Sequence, residues 1–174
     1  MKNERRYKIS SKLLVFVVED NKIYQKMVCE SLKRGGVENL KAFESGADCI
    51  AAVEAGAKPN AIIQDYHLGD TNGLDILLSV KEKLPRTQFV FLTANEDLEV
   101  AVNSIKYGAF DYITKDNEMA LKKVVNKIEK ISELYELHNR NNLATLAIIV
   151  NILILIGIIV FAVLHTFFDT FGLR

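Results

Sequence analysis

Ala61-Ile62-Ile63-Gln64-Asp65-Tyr66-His67-Leu68-Gly69-Asp70-Thr71-Asn72-Gly73 is the stretch on which the fold turns. A short apolar run follows Pro59-Asn60 and reads as a buried strand entered from a turn. The run stops at Asp65, and the loop after it is rich in Gly, Asp and Asn. One carboxylate is thereby placed at the carboxyl end of a central strand, the edge where open α/β sheets bind ligands. Alone, Asp65 reads first as an aspartate that starts a turn or caps the next helix.

Its company changes the reading. Leu13 to Val18 is another apolar strand and ends in Glu19-Asp20. Phe89 to Leu92 ends in Thr93-Ala94, and Asp111-Tyr112-Ile113 is followed by Thr114-Lys115. Four strand ends thus deliver carboxylates, a hydroxyl and an ammonium to one edge. Helical patterns separate them: Asn21 to Lys33, Ala47 to Ala55, Leu74 to Leu84 before Pro85, Asp97 to Tyr107 before Gly108, and a last helix from about Asn117. A short strand near Leu40 to Phe43 completes the set. Strands alternating with helices imply an α/β fold, with a doubly wound, five-stranded parallel sheet in the order 2-1-3-4-5.

Composition sets bounds on this picture. The 174 residues leave room for one domain and an appendage, and 22 basic residues balance 22 acidic ones, so bulk charge gives no case for nucleic acid. The first twelve residues hold Lys2, Arg5, Arg6, Lys8 and Lys12 against Glu4, and residues 1–11 read as a basic tail, solvated or lipid-contacting. Leu13 to Val18 is too short for a signal-peptide core. Cys29 and Cys49 lack metal-ligand spacing and read as buried free thiols of a reducing compartment.

The clustered Glu19, Asp20 and Asp65 repel one another and invite a cation, and an all-oxygen donor set suits Mg²⁺. The first strand-to-helix turn is acidic and lacks glycine, which excludes a direct nucleotide cradle. With charge neutralised, Asp65 can attack a phosphoryl group in line while Lys115 and the Thr93 hydroxyl hold its oxygens. Each residue also has an ordinary reading, as a turn lysine for Lys115, a helix cap for Thr93 and a core aromatic for Tyr112.

Residues 12–131 resemble the receiver domain of bacterial two-component response regulators. The matching pieces are Glu19-Asp20, the Asp65 strand with Gly73 eight residues on, Leu92-Thr93-Ala94, and Gly108-Ala109-Phe110-Asp111-Tyr112-Ile113-Thr114-Lys115. The resemblance implies that Asp65 is the phosphoacceptor, in a protein that assists its own phosphotransfer without being an enzyme. It implies Mg²⁺ on Asp20, Asp65, Glu19 and the His67 backbone carbonyl. Thr93 and Lys115 would take the phosphoryl group, Thr93 and Tyr112 would form the switch, and His67 and Asn95 would tune dephosphorylation. The expected donor is a sensor histidine kinase or phosphotransfer protein. Gly69 and Asp116 depart from the pattern, standing where the family usually has proline. A haloacid-dehalogenase phosphatase also uses an aspartyl phosphate but has a second aspartate two residues on, where this chain has His67.

Leu143 to Leu164 contains no Asp, Glu, Lys or Arg and is long enough to cross a bilayer. The expected division is therefore a helical stalk at 132–142, a transmembrane helix at 143–168 and a short external tail at 169–174. Lys122, Lys123, Lys127, Lys130 and Arg140 precede the span and only Arg174 follows, so the receiver is expected in the cytoplasm on the inner membrane. Ala144, Ala147, Asn151, Ile158, Ala162 and His165 share one stripe, which marks Asn151 and His165 as a membrane contact face toward a second copy or another membrane protein. Output would pass to a membrane or cytoplasmic effector, with no nucleic acid. The alternative is a structural subunit whose receiver docks constitutively without switching.

Overall fold

The computed structural model describes residues 9–69, 71–94, 98–115 and 119–171. In chain order the elements are β1 (Leu14–Val18), α1 (Lys22–Arg34), β2 (Asn39–Phe43), α2 (Gly46–Glu54), β3 (Ala61–Gln64), α3 (Gly73–Lys83), β4 (Gln88–Thr93), α4 (Leu98–Lys106), β5 (Asp111–Thr114) and α5 (Met119–Phe171). The four strand pairings of the sheet are parallel, in the order β2-β1-β3-β4-β5 expected from the alternation of strands and helices.

The apolar runs are continuous because both sheet faces are covered. Val15, Val17, Ala61, Ile63, Val90 and Leu92 face one cluster, which is closed by Val28 and Leu32 of α1 and by Val124, Ile128 and Ile131 of α5. Phe16, Val18, Ile62, Phe89 and Phe91 face the other, with Cys49 and Val53 of α2 and Ile76, Leu77 and Val80 of α3. Each fully buried Phe contributes roughly 1.5–3 kcal/mol of transfer free energy. β2, at the sheet edge, is the one strand of the five that is largely exposed.

Caps fix where the helices begin. Asn21 Oδ1 accepts from the Ile23 and Tyr24 amides, Ser45 Oγ from Asp48, and Asn72 Oδ1 from Leu74. Gly73 therefore opens α3, one residue before the expected start, because Asn72 serves as cap and not as loop. Gly108, at φ 95°, follows the end of α4 in a conformation that a Cβ would strain.

Packing begins upstream of Lys12. Ile9 is buried in the α1/α5 cluster, the Ser10 amide donates to Ser132 Oγ at 2.8 Å, and the Asn39 side-chain amide donates to the Ser11 carbonyl. At the other end Tyr135 still packs against that cluster.

The chain divides into two compact units, Met1–Tyr135 and Glu136–Arg174. The second holds the remainder of α5, and every side chain from Asn141 to Phe167 is exposed. By length and composition, α5 is a helix that can cross a membrane. Within it the Asn151 amide donates to the Ala147 carbonyl at 3.0 Å, and Thr145 and Thr166 hydroxyls bond carbonyls of the preceding turn.

Candidate phosphoacceptor site

The sheet ladder runs one residue past the strands and sets the site. Glu19 N donates to Phe43 O at 3.1 Å, Asp65 N to Val18 O at 3.0 Å, and Lys115 N to Thr93 O at 2.8 Å. The strand order reverses between β1 and β3, and the gap there opens a crevice at their carboxyl ends. Gln25, one turn into α1, donates through Nε2 to both Glu19 O (2.9 Å) and Phe43 O (2.8 Å), so the end of β1 is clamped to its edge neighbour.

Into this crevice Lys115 sends its ammonium, 2.6 Å from Glu19 Oε2 and 2.6 Å from Asp65 Oδ2. All three side chains are nearly buried. Burial pushes the Glu19 carboxyl above the usual range, and the Lys115 ammonium only partly opposes it. For Lys115, burial alone would lower the pKa, but the hydrogen bonds to Asp65 and Glu19 outweigh it and hold the group above its ordinary value. The lysine is therefore charged throughout the neutral range.

One oxygen each from Glu19, Asp20 and Asp65 can be chosen so that all lie within 4.8 Å of one another. Asp20 is exposed and the other two are buried. Three carboxylates face one ammonium, leaving two formal negative charges, and hard oxygen donors fit a hard divalent cation such as Mg²⁺.

The remaining expected residues fall into place unevenly. Thr93 is buried at the end of β4. The His67 amide donates to Asp65 Oδ1 at 3.3 Å, and its imidazole is exposed, edge-on to Tyr66 with ring centroids 5.0 Å apart. Tyr112 is half-buried on the α2/α3 cluster. Gly69 has room for a side chain, since an added Cβ would meet Asp20 Oδ2 at an ordinary 3.7 Å. Asn95 and Asp116 lie outside the described residues. Asn151 and His165 belong to the second unit.

Sequence reasoning passed over three residues. Gln25 and Tyr24 stand one turn after the acidic pair, and the Tyr24 ring centroid lies 4.6 Å from Lys115 Nζ. Gln64 is a buried amide in an otherwise apolar strand, a signal that was visible. Its Nε2 donates to the Gly73 carbonyl at 2.5 Å, while its Oε1 has no hydrogen-bond partner among the described residues. Gly73 is forced by this closeness, because a Cβ there would lie 2.7 Å from Asp65 O and 2.9 Å from Phe91 Cε1.

The chain is similar to known proteins in sequence and in fold. The family model of the response regulator receiver domain matches residues 15–129. The DNA-binding transcriptional regulator NtrC of Proteus hauseri is 33% identical over 101 residues, 58% of this chain and 21% of that protein. The regulatory protein LuxO of Vibrio cholerae is 35% identical over 80 residues, 46% of this chain and 17% of that one. The chain thus spans about a fifth of the length of each of these two relatives. Among solved structures, the BeF3-activated DrrB receiver domain gives a TM-score of 0.61 at 27% identity, covering 70% of this chain and 97% of that one. The signal receiver domain of a putative LuxO repressor from Vibrio parahaemolyticus gives 0.63 at 30% identity, covering 72% and 95%. With more than half of its length matched and the same sheet order, the chain belongs to the response regulator receiver domain family.

Proposed function

We propose that this chain is a membrane-anchored receiver, phosphorylated on Asp65 and signalling through a phosphorylation-dependent change of its docking surface. The observation that carries the reading is the convergence of Lys115 on Asp65 and Glu19 at the mouth of β1 and β3, with Asp20 beside them. Glu19, Asp20, Asp65 and the His67 carbonyl would hold Mg²⁺, which when bound supplies the positive charge that lets an anionic phosphoryl group approach. An Asp65 oxygen attacks phosphorus, the bond to the donor's leaving group breaks, and that group departs with the electron pair. Lys115 and the Thr93 hydroxyl receive the oxygens of the transferred group. Tyr112 then turns inward, altering the surface of α4, β5 and the start of α5. His67, exposed beside Asp65, would influence hydrolysis.

The phosphoryl source is a histidine kinase or a phosphotransfer protein, the partners with which receivers interact. Anchoring rests on the exposed apolar part of α5. The lysines on α5 before the span, with Arg140, favour a cytoplasmic receiver, and Asn151 and His165 would form a contact face in the bilayer. The similar DrrB receiver is described as BeF3-activated, and the same analogue is the probe for the activated form here.

The test is incubation of the detergent-solubilised chain with acetyl phosphate and intact-mass measurement. A single phosphoryl adduct is expected with Mg²⁺, absent with excess EDTA and absent from Asp65→Asn. An adduct that persists in Asp65→Asn places the chemistry elsewhere.

A further inference from the structure

The Lys115 ammonium has a third neighbour that carries no charge. Its Nζ lies over the Tyr24 ring, 4.6 Å from the centroid, inside the roughly 6 Å reach of a cation–π attraction. Tyr24 is half-buried and packs against the α1/α5 cluster, so the core sets the ring's position independently of the lysine. The helix that carries it is fixed at its start by the Asn21 cap and by the Gln25 clamp on Glu19 and Phe43. The three groups around Nζ therefore come from the ends of β1 and β3 and from α1.

These three neighbours are not equivalent. Glu19 and Asp65 are oxygen anions that a divalent cation would also claim, and both carboxylates are partly spent once that charge arrives. The aromatic face offers attraction without being a hard oxygen donor, so it does not compete for such a cation. It also brings no negative charge against an incoming phosphoryl group. A four-carbon lysine stem released from its ion pairs would otherwise regain its rotamers and leave the crevice.

We propose that Tyr24 is a positioning residue for Lys115, its ring keeping the ammonium beside Asp65 when a divalent cation has taken over Glu19. This rests on reading Asp65 as the phosphoacceptor, and the experiment below separates the two.

The full chain in detergent, with ¹³C-labelled lysine, is followed by NMR as Mg²⁺ is added, in wild type, Tyr24→Phe and Tyr24→Leu. The Lys115 ε-methylene protons should show a ring-current upfield shift that survives Mg²⁺, is kept by Tyr24→Phe and is lost in Tyr24→Leu. A shift that collapses on Mg²⁺ addition overturns the proposal. Acetyl phosphate labelling at saturating Mg²⁺ supplies the second arm. Tyr24→Phe should label within about twofold of wild type and Tyr24→Leu about two- to thirtyfold more slowly. Tyr24→Phe variants bearing one, two and three ring fluorines should fall stepwise between them at an unchanged thermal midpoint. A flat fluorination series overturns the proposal, because ring electronics would then not matter. Labelling that persists in Asp65→Asn identifies failure of the phosphoacceptor reading, and the NMR arm still decides the role of Tyr24.

Discussion

Gly73 shows how closely the loop after β3 is drawn against the start of α3. Its amide donates to the Tyr66 carbonyl at 2.8 Å, and its own carbonyl takes the Gln64 amide. Gly73→Ala would drive a methyl into the Asp65 carbonyl and the Phe91 ring. The expected cost is about 1–3 kcal/mol, read as a lower urea midpoint at unchanged m-value, with slower acetyl phosphate labelling because Asp65 moves with its carbonyl. Cys49 illustrates a quieter residue. Burial in the α2/α3 cluster pushes its thiol up to about 12, so it should not react with a thiol reagent at pH 8 until the protein unfolds. The sign of its pH effect follows from linkage. The folded pKa is raised, so the contribution is complete below the unfolded value near 8.5 and is lost as pH climbs toward the folded one. Unfolding free energy should therefore fall with pH above about 9, and that slope should flatten in Cys49→Ala. An equal slope in both proteins would assign it to other groups.

At the scale of elements, the sheet was legible because β1, β3 and β4 carry short apolar runs ended by a polar residue, as Val18-Glu19, Ile63-Gln64 and Leu92-Thr93 show. Glu19, Asp65 and Lys115 could be brought together on paper, since sheet order alone sends their strand ends to one edge. Tyr24 could not. Its approach to Lys115 joins residues 91 positions apart in the sequence and depends on the pitch at which α1 leaves β1, which no local pattern encodes. Ile9 was hidden for another reason, as a single apolar residue among basic ones carries no periodicity. The apolar part of α5 invites a test of its own. The Asn151 amide already spends one hydrogen on Ala147, so the gain left for a contact across helices is small, about 0.6–2 kcal/mol. Single cysteines in a Cys29→Ala, Cys49→Ala background should crosslink at Ala147 and Ala162 and fail at Ile149 and Gly157. Uniform crosslinking along the helix would make this segment a plain anchor.

For the whole molecule the two units suggest a separable behaviour. A chain ending after Tyr135 should stay in the supernatant after ultracentrifugation of lysed cells, whereas the full chain should sediment with membranes and resist carbonate extraction. Recovery of the full chain in the carbonate wash would remove the anchoring proposal and leave the phosphoacceptor proposal intact. The two faces of the sheet also differ in when they can be finished. The cluster under α2 and α3 draws its buried residues from Phe16 to Ala109, while the one under α1 and α5 needs Ile131 and the returning Ile9. A ribosome working at about 5–20 residues per second delivers Ala109 roughly one to four seconds before Ile131, which lies 22 positions later. The bond from Ser10 to Ser132, separated by 122 positions, can close only after that. A nascent receiver is therefore half-finished on one side during that interval, with the exposed side awaiting the same helix that continues into the apolar segment.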